Sequence, residues 1–421
     1  MTALVAASVA AVRRDLGELA ELLGRLVRTH PVYGSAGQED ALALSERWLL
    51  EAGLETSRLS LDLAAARARP DFSDVAAFGG VFGDYDTTER QCVVATRWFS
   101  DDGPHLILNG HVDVEFAPNP ERWSAPGGPA GGDFDGTRIW GRGASDMLGG
   151  VACYLYVLKR LAPLFPYARG SLTVHLVLDE EVGGNGTLAL LLAGRYPGDA
   201  VALIAEPTGG EVCTSSRGFT QFLITCHGVA GHMAYSRRGD NALLRMAEVI
   251  MELEDLDAEL RGLAGDRRRL LTYGVDGCGG DPATPADRAA LVVTVARPPA
   301  MPLPDILRRL QARLDPVRAR YGDPITVEPC GLDLAPGGLS SRELASALLA
   351  TSAGLGLPTR PGHFPSACDA RLFESFGIPA VVFGPGHLSR AHGVDEYVTI
   401  DELAGYSSVL AGTLARRWSA C

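Results

Sequence analysis

Five residues of the types that bind divalent metals are spread along the chain. They are His111, Asp146, Glu181, Glu206 and His392. Two imidazoles and three carboxylates form a borderline-hard ligand set, which suits zinc, cobalt or manganese. A pair of such metals activates water for attack on a carbonyl carbon. The set therefore predicts a binuclear metal hydrolase.

The first of these residues has a carboxylate close by. His111 follows an apolar run, Leu106–Leu108, and lies two residues before Asp113. In an extended segment these two side chains point to the same face. A carboxylate beside a metal-bound imidazole fixes the tautomer and the orientation of the ring. Taken alone, His-x-Asp is a weak pattern, and a structural histidine is its ordinary interpretation.

The central carboxylates also have two interpretations each. Asp146 lies in a glycine-rich loop before a predicted helix, where it suits either an N-cap or a bridge between two metals. Glu180 and Glu181 close the apolar strand Val174–Leu178, and adjacent residues of a strand point apart. One of the two can therefore bind a metal while the other faces water as a general base. An isolated Glu-Glu pair is also typical of a solvated acidic turn.

The composition limits the fold and the partners. A length of 421 residues suggests two domains, and a hydrophobic content of 46% is ample for their cores. The net charge of −13 argues against nucleic acid and against an anionic membrane surface as partners. The 8 cysteines are spread singly without a CxxC pair, which argues against a thiolate zinc site and indicates a reducing compartment.

The start of the chain is apolar but does not have the pattern of a signal peptide. No Lys or Arg precedes residues 3–10, and the helical spacing continues through Leu16 to Leu23. We therefore predict an amphipathic first helix. No uninterrupted apolar run reaches the ~18 residues that a membrane span needs. We expect a cytoplasmic protein with no membrane partner.

The pattern of strands and helices predicts an α/β fold. In the first half of the chain, predicted strands alternate with predicted helices, as in an α/β sandwich whose central sheet is flanked by helices. The strands are Cys92–Trp98, His105–Leu108, Ser171–Leu178 and Ala200–Ile204, and the helices are Gly149–Leu161 and Thr187–Leu192. The pattern resumes near the end with helix Ser340–Leu355, strand Ala380–Phe383 and helix Ile400–Arg417.

Between these parts the pattern changes to that of a compact α+β unit. Its predicted elements are strand Phe219–His227, helix Asn241–Leu260, strand Ala290–Ala296 and helix Pro304–Tyr321. We therefore assign residues 1–209 and 334–421 to a catalytic metal-binding domain. Residues 210–333 are assigned to an inserted lid or dimerisation domain.

The motifs taken together resemble those of a known enzyme family. They are Asn109-Gly110-His111-Val112-Asp113-Val114, Gly141-Arg142-Gly143-Ala144-Ser145-Asp146-Met147, Asp179-Glu180-Glu181-Val182-Gly183, Ala205-Glu206-Pro207-Thr208, Gly228-Val229-Ala230-Gly231-His232, Cys368-Asp369-Ala370-Arg371 and His392-Gly393-Val394-Asp395-Glu396. Over nearly its whole length the chain resembles the co-catalytic zinc amidohydrolases. That family includes aminoacylase, acetylornithine deacetylase, succinyl-diaminopimelate desuccinylase and glutamate carboxypeptidase.

The resemblance implies two divalent metal ions per chain, with zinc expected first and cobalt or manganese as alternatives. It implies that His111, Asp146 and Glu206 hold one ion. Asp146, Glu181 and His392 would hold the other, so that Asp146 bridges the two.

The resemblance also assigns roles to residues that are not ligands. It implies that Glu180 is the general base and later the proton donor, and that Asp113 orients His111. The inserted domain in this family often forms a homodimer interface. The partner subunit's His232 would then donate a hydrogen bond to the developing oxyanion. Without the resemblance, His232 is interpreted as a loop histidine.

The lid departs from the family pattern, which affects the substrate. The stretch Gly279–Pro285 lacks the asparagine of the family's Asn-x-x-Pro, and the strand that ends at Arg297 lacks the usual preceding aspartate. Arg297 suits either a bidentate contact with a substrate carboxylate or a structural surface position. Arg217 and Arg371 are further candidates for that contact, and Tyr235 resembles the desuccinylase pattern.

These observations predict an enzyme that hydrolyses the amide bond of an N-acyl amino acid or a related small molecule, as a deacylase or desuccinylase does. A dipeptidase or carboxypeptidase using the same site is the first alternative. A biosynthetic family member with an altered substrate is the second. A binding protein that has kept the fold without turnover is the third, and the complete set of ligands together with Glu180 argues against it.

Overall fold

A computed structural model of the protein describes residues 3–60, 62–73, 90–237, 240–265, 267–278, 283–322 and 325–418. Its described strands form an eight-stranded mixed sheet, a four-stranded antiparallel sheet and a two-stranded ribbon. In the lid stretch Gly279–Pro285, residues 279–282 lie outside the described part of the chain.

Three helices precede the first strand. They are α1 (Ala3–Arg13), α2 (Leu16–Arg28) and α3 (Gly37–Glu51). The predicted first helix is present, but the helical pattern is divided between two helices, because α1 ends after Arg13. Asp15 then accepts a hydrogen bond from the backbone N–H of Glu18 at 3.1 Å and caps α2. A side chain that caps a helix start this well favours a new helix over a continued one.

The first long alternation of strands and helices forms most of the large sheet and its flanks. Its elements are β1 (Glu55–Ser60), α4 (Leu63–Arg67), β2 (Gln91–Trp98), β3 (His105–His111), β4 (Arg138–Trp140), α5 (Leu148–Leu161), β5 (Ser171–Val177), α6 (Asn185–Ala193), β6 (Val201–Pro207) and β7 (Glu211–Ser216). The end of the chain adds α9 (Arg342–Gly354), β12 (Arg360–Phe364), α10 (Ala370–Ser375), β13 (Ala380–Gly384), β14 (Tyr397–Thr399) and α11 (Ile400–Trp418).

The strand order of the large sheet is β1-β2-β5-β3-β6-β13-β7-β12. The four central strands β5, β3, β6 and β13 run parallel to one another. Every residue of β3 and β6 is buried, as expected of parallel strands that are covered by helices on both faces. The carboxyl ends of parallel strands meet at one edge of a sheet, and this edge is where open α/β sheets bind ligands.

Helix α5 lies in the core of the large unit. The continuous helical stretch Leu148–Tyr167 is long and apolar enough to cross a membrane by length and composition alone, although 72% of its most apolar window is buried within the protein. Lys159 and Arg160 lie within this stretch, so it is not the uninterrupted apolar run that the sequence analysis considered. The burial favours a core helix.

The four-stranded sheet has the order β11-β8-β10-β9. Its elements are β8 (Gly218–His227), α7 (Ala242–Ala264), β9 (Leu271–Cys278), β10 (Arg288–Arg297), α8 (Leu303–Tyr321) and β11 (Ile325–Leu334). Phe222 and Ile224 of β8 pack with residues of α7 and α8, so both helices cover one face of this sheet. Both α-helices that the structure describes in this unit lie on that face, which leaves the opposite face without a described α-helix of the unit.

The predicted fold class is confirmed: a central sheet flanked by helices is joined to a second α+β unit. The predicted boundary at residue 210 is less simple. Strand β7 follows that boundary but pairs with β13 and β12 of the large sheet, so the second sheet begins at Gly218. The assignment of residues 210–333 to a separate domain stays a prediction.

The close packing of α5 on the large sheet gives a stability prediction. A Cβ atom on Gly150 would collide with the carbonyl oxygen and the Cβ of Ala205 on β6. We expect Gly150→Ala to lower the free energy of unfolding in urea by about 1–3 kcal/mol, the usual effect of overpacking a core.

Gly262 is the matched control, because it is also helical but has no atom within 4 Å of an added Cβ. Gly262→Ala should raise the free energy of unfolding by up to ~1 kcal/mol through helix propensity. Wild-type stability in Gly150→Ala would show that α5 does not need its close contact with β6.

Candidate active site

The carboxyl edge of the parallel strands brings together predicted site residues from distant parts of the sequence. His111 is the last residue of β3, Glu206 lies on β6, and Glu180 and Glu181 follow β5. The segment after β13 carries His392 to the same place, where its Nε2 atom is 3.1 Å from Glu181 Oε2. The topology of the sheet therefore explains why these residues converge.

Asp146 lies between the two imidazoles. Its Oδ1 atom is 3.3 Å from Nε2 of His111, and its Oδ2 atom is 3.5 Å from Nε2 of His392. A carboxylate that directs one oxygen toward each imidazole has the arrangement expected of a bridge between two metal ions.

Two glutamates complete the surroundings of His111. Glu206 Oε1 and Glu180 Oε2 each lie 3.9 Å from His111 Nε2. The potential ligand atoms of these three residues all lie within 4.8 Å of one another. The same holds for a second set, formed by His111, Asp146 and Glu181.

Several oxygen atoms at this site are buried without a hydrogen-bond partner among the described residues. They belong to Asp113 (Oδ1), Glu181 (Oε1) and Glu206 (Oε1). A buried carboxylate oxygen without a partner destabilises a protein unless a cation compensates it. The unpartnered oxygens and the mixed imidazole and carboxylate donors thus fit divalent metal ions of the zinc type.

The pKa values of the cluster reflect the same crowding of negative charge. Burial, helped by the neighbouring carboxylates, raises the pKa of Glu180 and of Glu206 well above the usual range. Burial alone would lower the pKa of His111, but its hydrogen bond with Asp146 and the nearby glutamates raise it on balance. The charge of Glu181 raises the pKa of His392 to about 12. The cluster therefore attracts positive charge, either protons or metal ions.

Asp113 orients His111 in a way that the sequence did not predict. The Nδ1 atom of His111 is 2.8 Å from the backbone oxygen of Asp113, whereas the carboxylate oxygen Oδ1 is 3.8 Å away. Because a carbonyl oxygen only accepts, Nδ1 must carry a proton, so that Nε2 presents its lone pair to the cluster when the ring is neutral. The Asp113 carboxylate instead accepts the backbone N–H of Glu181 at 3.2 Å.

A buried ion pair fastens the two loops that carry Asp146 and His392. Nη1 of Arg142 is 2.6 Å from Oε2 of Glu396. The other oxygen of Glu396 accepts the backbone N–H groups of Ser145 and Asp146 at 3.0 and 3.2 Å. Nη2 of Arg142 donates to the backbone oxygen of His392 at 3.0 Å. Both charged residues stood in the motifs, but the sequence analysis gave them no role.

A second network missed by the sequence analysis lies beneath the cluster. Asp369 accepts hydrogen bonds from Asn109 Nδ2 at 3.1 Å and from Thr187 Oγ1 at 2.5 Å. Arg371, a predicted substrate-binding residue, is buried and donates to the backbone oxygen of Gly183 at 2.6 Å. In this position Arg371 supports the loop that carries Glu180 and Glu181, and its contact with substrate stays a prediction.

Two other predicted substrate-binding arginines also contact protein groups. Arg217 is 2% exposed, and its Nη1 atom lies 3.4 Å from the backbone oxygens of Arg269 and Pro365. Arg297 donates to Asp333 Oδ1 at 3.0 Å and to the backbone oxygen of Leu334 at 2.7 Å.

His232 and Tyr235 lie on the surface of the second unit. The Nδ1 atom of His232 accepts the backbone N–H of Ala234 at 3.2 Å, and Tyr235 is 88% exposed. Neither residue lines the cavity beside the carboxylate cluster. The described chain therefore does not bring them to the site, and a role through a second subunit stays a prediction.

A cavity of about 120 Å³ borders the cluster. It is lined by Asp146, Glu180, Glu181, Glu206, Phe219, Leu332, Leu334, Phe364, Ser366, Ala367, Leu388 and His392. A larger cavity of about 420 Å³ lies between α11 and the segment Gly384–His387, but none of the cluster residues line it. The smaller cavity is the one that can place a substrate against the cluster.

The buried ion pair gives a test that is independent of turnover. Glu396→Gln removes the charge that faces Arg142 and loosens the His392 segment. We expect the affinity for the more weakly held metal ion to fall by about 10–100-fold, as for other supporting residues of metal sites. Competition with a chelator, followed by metal analysis, measures this affinity.

Glu402→Gln is the matched control. Glu402 pairs with Arg390 of the same segment at 2.8 Å, but it contacts neither the Asp146 loop nor His392. An equal loss of metal affinity in both variants would contradict a specific role for Glu396.

Comparison with solved structures shows the same fold. Human carnosine dipeptidase 1 aligns with a TM-score of 0.72 at 12% identity, over 99% of this chain and 100% of that one. A di-peptidase from Saccharomyces cerevisiae aligns with a TM-score of 0.72 at 13% identity, over 99% of both chains. An M20 metallo-carboxypeptidase from Sulfolobus solfataricus aligns with a TM-score of 0.65 at 16% identity, over 95% of this chain and 98% of that one.

Comparison with models of protein families shows which family the chain belongs to. The model of peptidase family M20/M25/M40 matches residues 107–416, which contain all five predicted metal ligands. This match spans well over half of the chain. The chain therefore belongs to peptidase family M20/M25/M40 and is a hydrolytic enzyme with a candidate site for divalent metal.

Proposed function

We propose that the protein hydrolyses the amide bond of an N-acyl amino acid or a closely related small molecule. The observation that carries the proposal is the position of Asp146, which directs one carboxylate oxygen to each of two imidazoles. This arrangement fits two metal ions that share one bridging ligand. Family membership supports a peptidase or amide hydrolase, and the deacylase assignment rests on the sequence motifs.

Three residues would hold each ion. His111, Asp146 and Glu206 would hold one ion, and Asp146, Glu181 and His392 the other. We expect zinc first, with cobalt or manganese as alternatives, because the donors are imidazoles and carboxylates. Bound at such a site, divalent ions lower the pKa of water and polarise a carbonyl group.

Glu180 belongs to neither set of proposed ligands, and it suits the role of general base. Its Oε2 atom lies 3.9 Å from Nε2 of His111, and it lines the cavity beside the cluster. Burial raises its pKa, which brings the carboxylate closer to the range in which it can accept and then release a proton. Glu180 would take the proton of the attacking water and pass it to the leaving amine.

Asp113 and the backbone around it would keep this geometry in place. The Asp113 carbonyl holds the His111 ring, and its carboxylate accepts the N–H of Glu181. One residue thus supports a ligand of each proposed ion. The apolar lining residues of the cavity, among them Phe219 and Phe364, would exclude bulk water from the reaction.

A dipeptidase is the second candidate. The support is the whole-chain likeness to human carnosine dipeptidase 1 and to the yeast di-peptidase, each with a TM-score of 0.72. The TM-scores establish a shared fold, and identities of 12% and 13% leave the substrate open. A panel of N-acyl amino acids and dipeptides, compared by kcat/KM, separates the two candidates.

We also infer a homodimer through the second unit. Leu244 and Met251 are seven residues apart on α7, so they share a face, and they are 45% and 66% exposed. Val229 and Met233 of the same unit are 59% and 64% exposed. Exposed apolar residues that share a helix face are typical of a contact surface.

We place the enzyme in the cytoplasm. Six cysteines among the described residues are free and none is paired: Cys92, Cys153, Cys213, Cys226, Cys330 and Cys368. Unpaired thiols of this number support a reducing compartment.

The role of Glu180 gives the first test of the function. Glu180→Gln should lower kcat for an N-acyl amino acid by at least about 100-fold, because the base that moves the proton is lost. Metal analysis should give the same content as in the wild type, since Glu180 belongs to neither ligand set. Glu121→Gln, at an exposed position outside the site, is the control and should leave kcat unchanged. Wild-type turnover by Glu180→Gln would remove Glu180 from the mechanism.

The dimer proposal has its own test. Leu244→Glu combined with Met251→Glu should turn a dimer into a monomer, because two charges would be buried in the contact. Light scattering after gel filtration measures the mass. A wild-type protein that stays monomeric at every working concentration would contradict the proposal.

A further inference from the structure

The cavity beside the cluster has two chemically different sides. Four carboxylates and one imidazole line one part, and apolar side chains line the rest together with Ser366. The apolar residues are Phe219, Leu332, Leu334, Phe364, Ala367 and Leu388. Within the described part of the chain, no Lys or Arg lines this cavity.

The sheet of the second unit contributes the apolar wall through its uncovered face. Phe219 is paired directly with Leu334 across β8 and β11, and Thr220 is paired with Asp333. Leu332 lies beside a register shift in β11 and lines the same cavity as Phe219 and Leu334. Because alternate residues of a strand point to opposite faces, Phe219 and Leu334 share one face. Thr220 and Asp333 share the other, where Thr220 Oγ1 donates to Asp333 Oδ1 at 2.8 Å.

Arg297 lies on the face that points away from the cavity. It is paired with Gly218 on β8, two residues before Thr220, so its side chain projects to the same face as Thr220. Its guanidinium donates to Asp333, which supplies the opposite charge. Arg217 and Arg371 contact backbone oxygens, as described above. The cations expected to receive a substrate carboxylate are thus directed to protein groups.

The metal ions would not supply the missing positive charge for such a carboxylate. Two divalent ions bring four positive charges, and four carboxylates line the same cavity: Asp146, Glu180, Glu181 and Glu206. The two sets of charges balance. A carboxylate at the far end of the acyl chain would be desolvated against the apolar side of the cavity without a partner from its wall.

We propose that the substrate's acyl group is a short, uncharged aliphatic chain that packs against Phe219, Leu332 and Leu334. This inference rests on the proposed amide hydrolysis and specifies its acyl group. The size follows from the cavity volume of about 120 Å³. Because an apolar cavity of ~150 Å³ accommodates the six carbon atoms of benzene, this one has room for about four or five.

A pair of matched substrates tests the proposal. N-butyryl-leucine and N-succinyl-leucine have the same leaving amine, and their acyl chains differ in a terminal methyl group against a terminal carboxylate. With the zinc-loaded enzyme, we expect kcat/KM to be on the order of 100-fold higher for the butyryl compound, because a site lined by apolar groups rejects an unpaired charge strongly.

A second test introduces a cation into the apolar wall of the cavity. Leu332 is half-buried, so Leu332→Arg can extend into the cavity without disrupting a core. It should lower kcat/KM for the butyryl compound and raise it for the succinyl compound, and so reduce the preference at least tenfold. Leu339→Arg is the control at a position that is 40% exposed and outside the cavity, and it should keep the wild-type preference.

The possible outcomes distinguish an error in the proposed acyl group from an error in the proposed amide hydrolysis. Equal or faster hydrolysis of the succinyl compound by the wild type overturns the assignment and leaves amide hydrolysis standing. An unchanged preference in Leu332→Arg, with metal content and thermal stability preserved, also overturns it. Failure of the metal-loaded wild type to hydrolyse either compound refutes the proposed deacylase function itself.

Discussion

The crowding of buried carboxylates at one edge of the large sheet is the constraint on which the rest of the structure depends. Asp146 and Glu206 are buried beside Glu180 and Glu181, and one oxygen of Glu181 and one of Glu206 have no described hydrogen-bond partner. Such a cluster is compatible with a stable fold only when positive charge balances it. The imidazoles of His111 and His392 are directed toward these carboxylates. The set of imidazole and carboxylate donors fits divalent metal ions as the source of the positive charge.

The scaffold keeps these like charges close to one another through contacts outside the cluster. Parallel strands bring their carboxyl ends to one edge, and the Arg142–Glu396 pair joins the loops that enter from either side. Glu396 receives the backbone N–H of Asp146, and Arg142 reaches the backbone of His392. Asp146 and His392 therefore depend on one buried ion pair for their relative position.

The convergence of the five predicted ligand residues could be expected from sequence, because each stands at a strand end or in a glycine-rich loop, where local patterns are strong. The helix-flanked sheet was predictable because its strands and helices appear in the sequence as long apolar runs, which are also strong local patterns. The break between α1 and α2, the pairing of β7 with the large sheet, and the direction of Arg297 were not predictable. These depend on a capping contact, on strand order and on which face of a sheet a side chain occupies, none of which the spacing of apolar residues determines. The three arginines that were candidates for substrate binding thus have protein partners, whereas Arg142 and Glu396 support the site.

The most direct test of this account is the location of metal in crystals of the zinc-loaded protein, measured by anomalous scattering at the zinc edge. The account predicts two peaks per chain, one beside His111 and Glu206 and one beside Glu181 and His392, with Asp146 in contact with both. A single peak, or peaks that do not share Asp146, would contradict it.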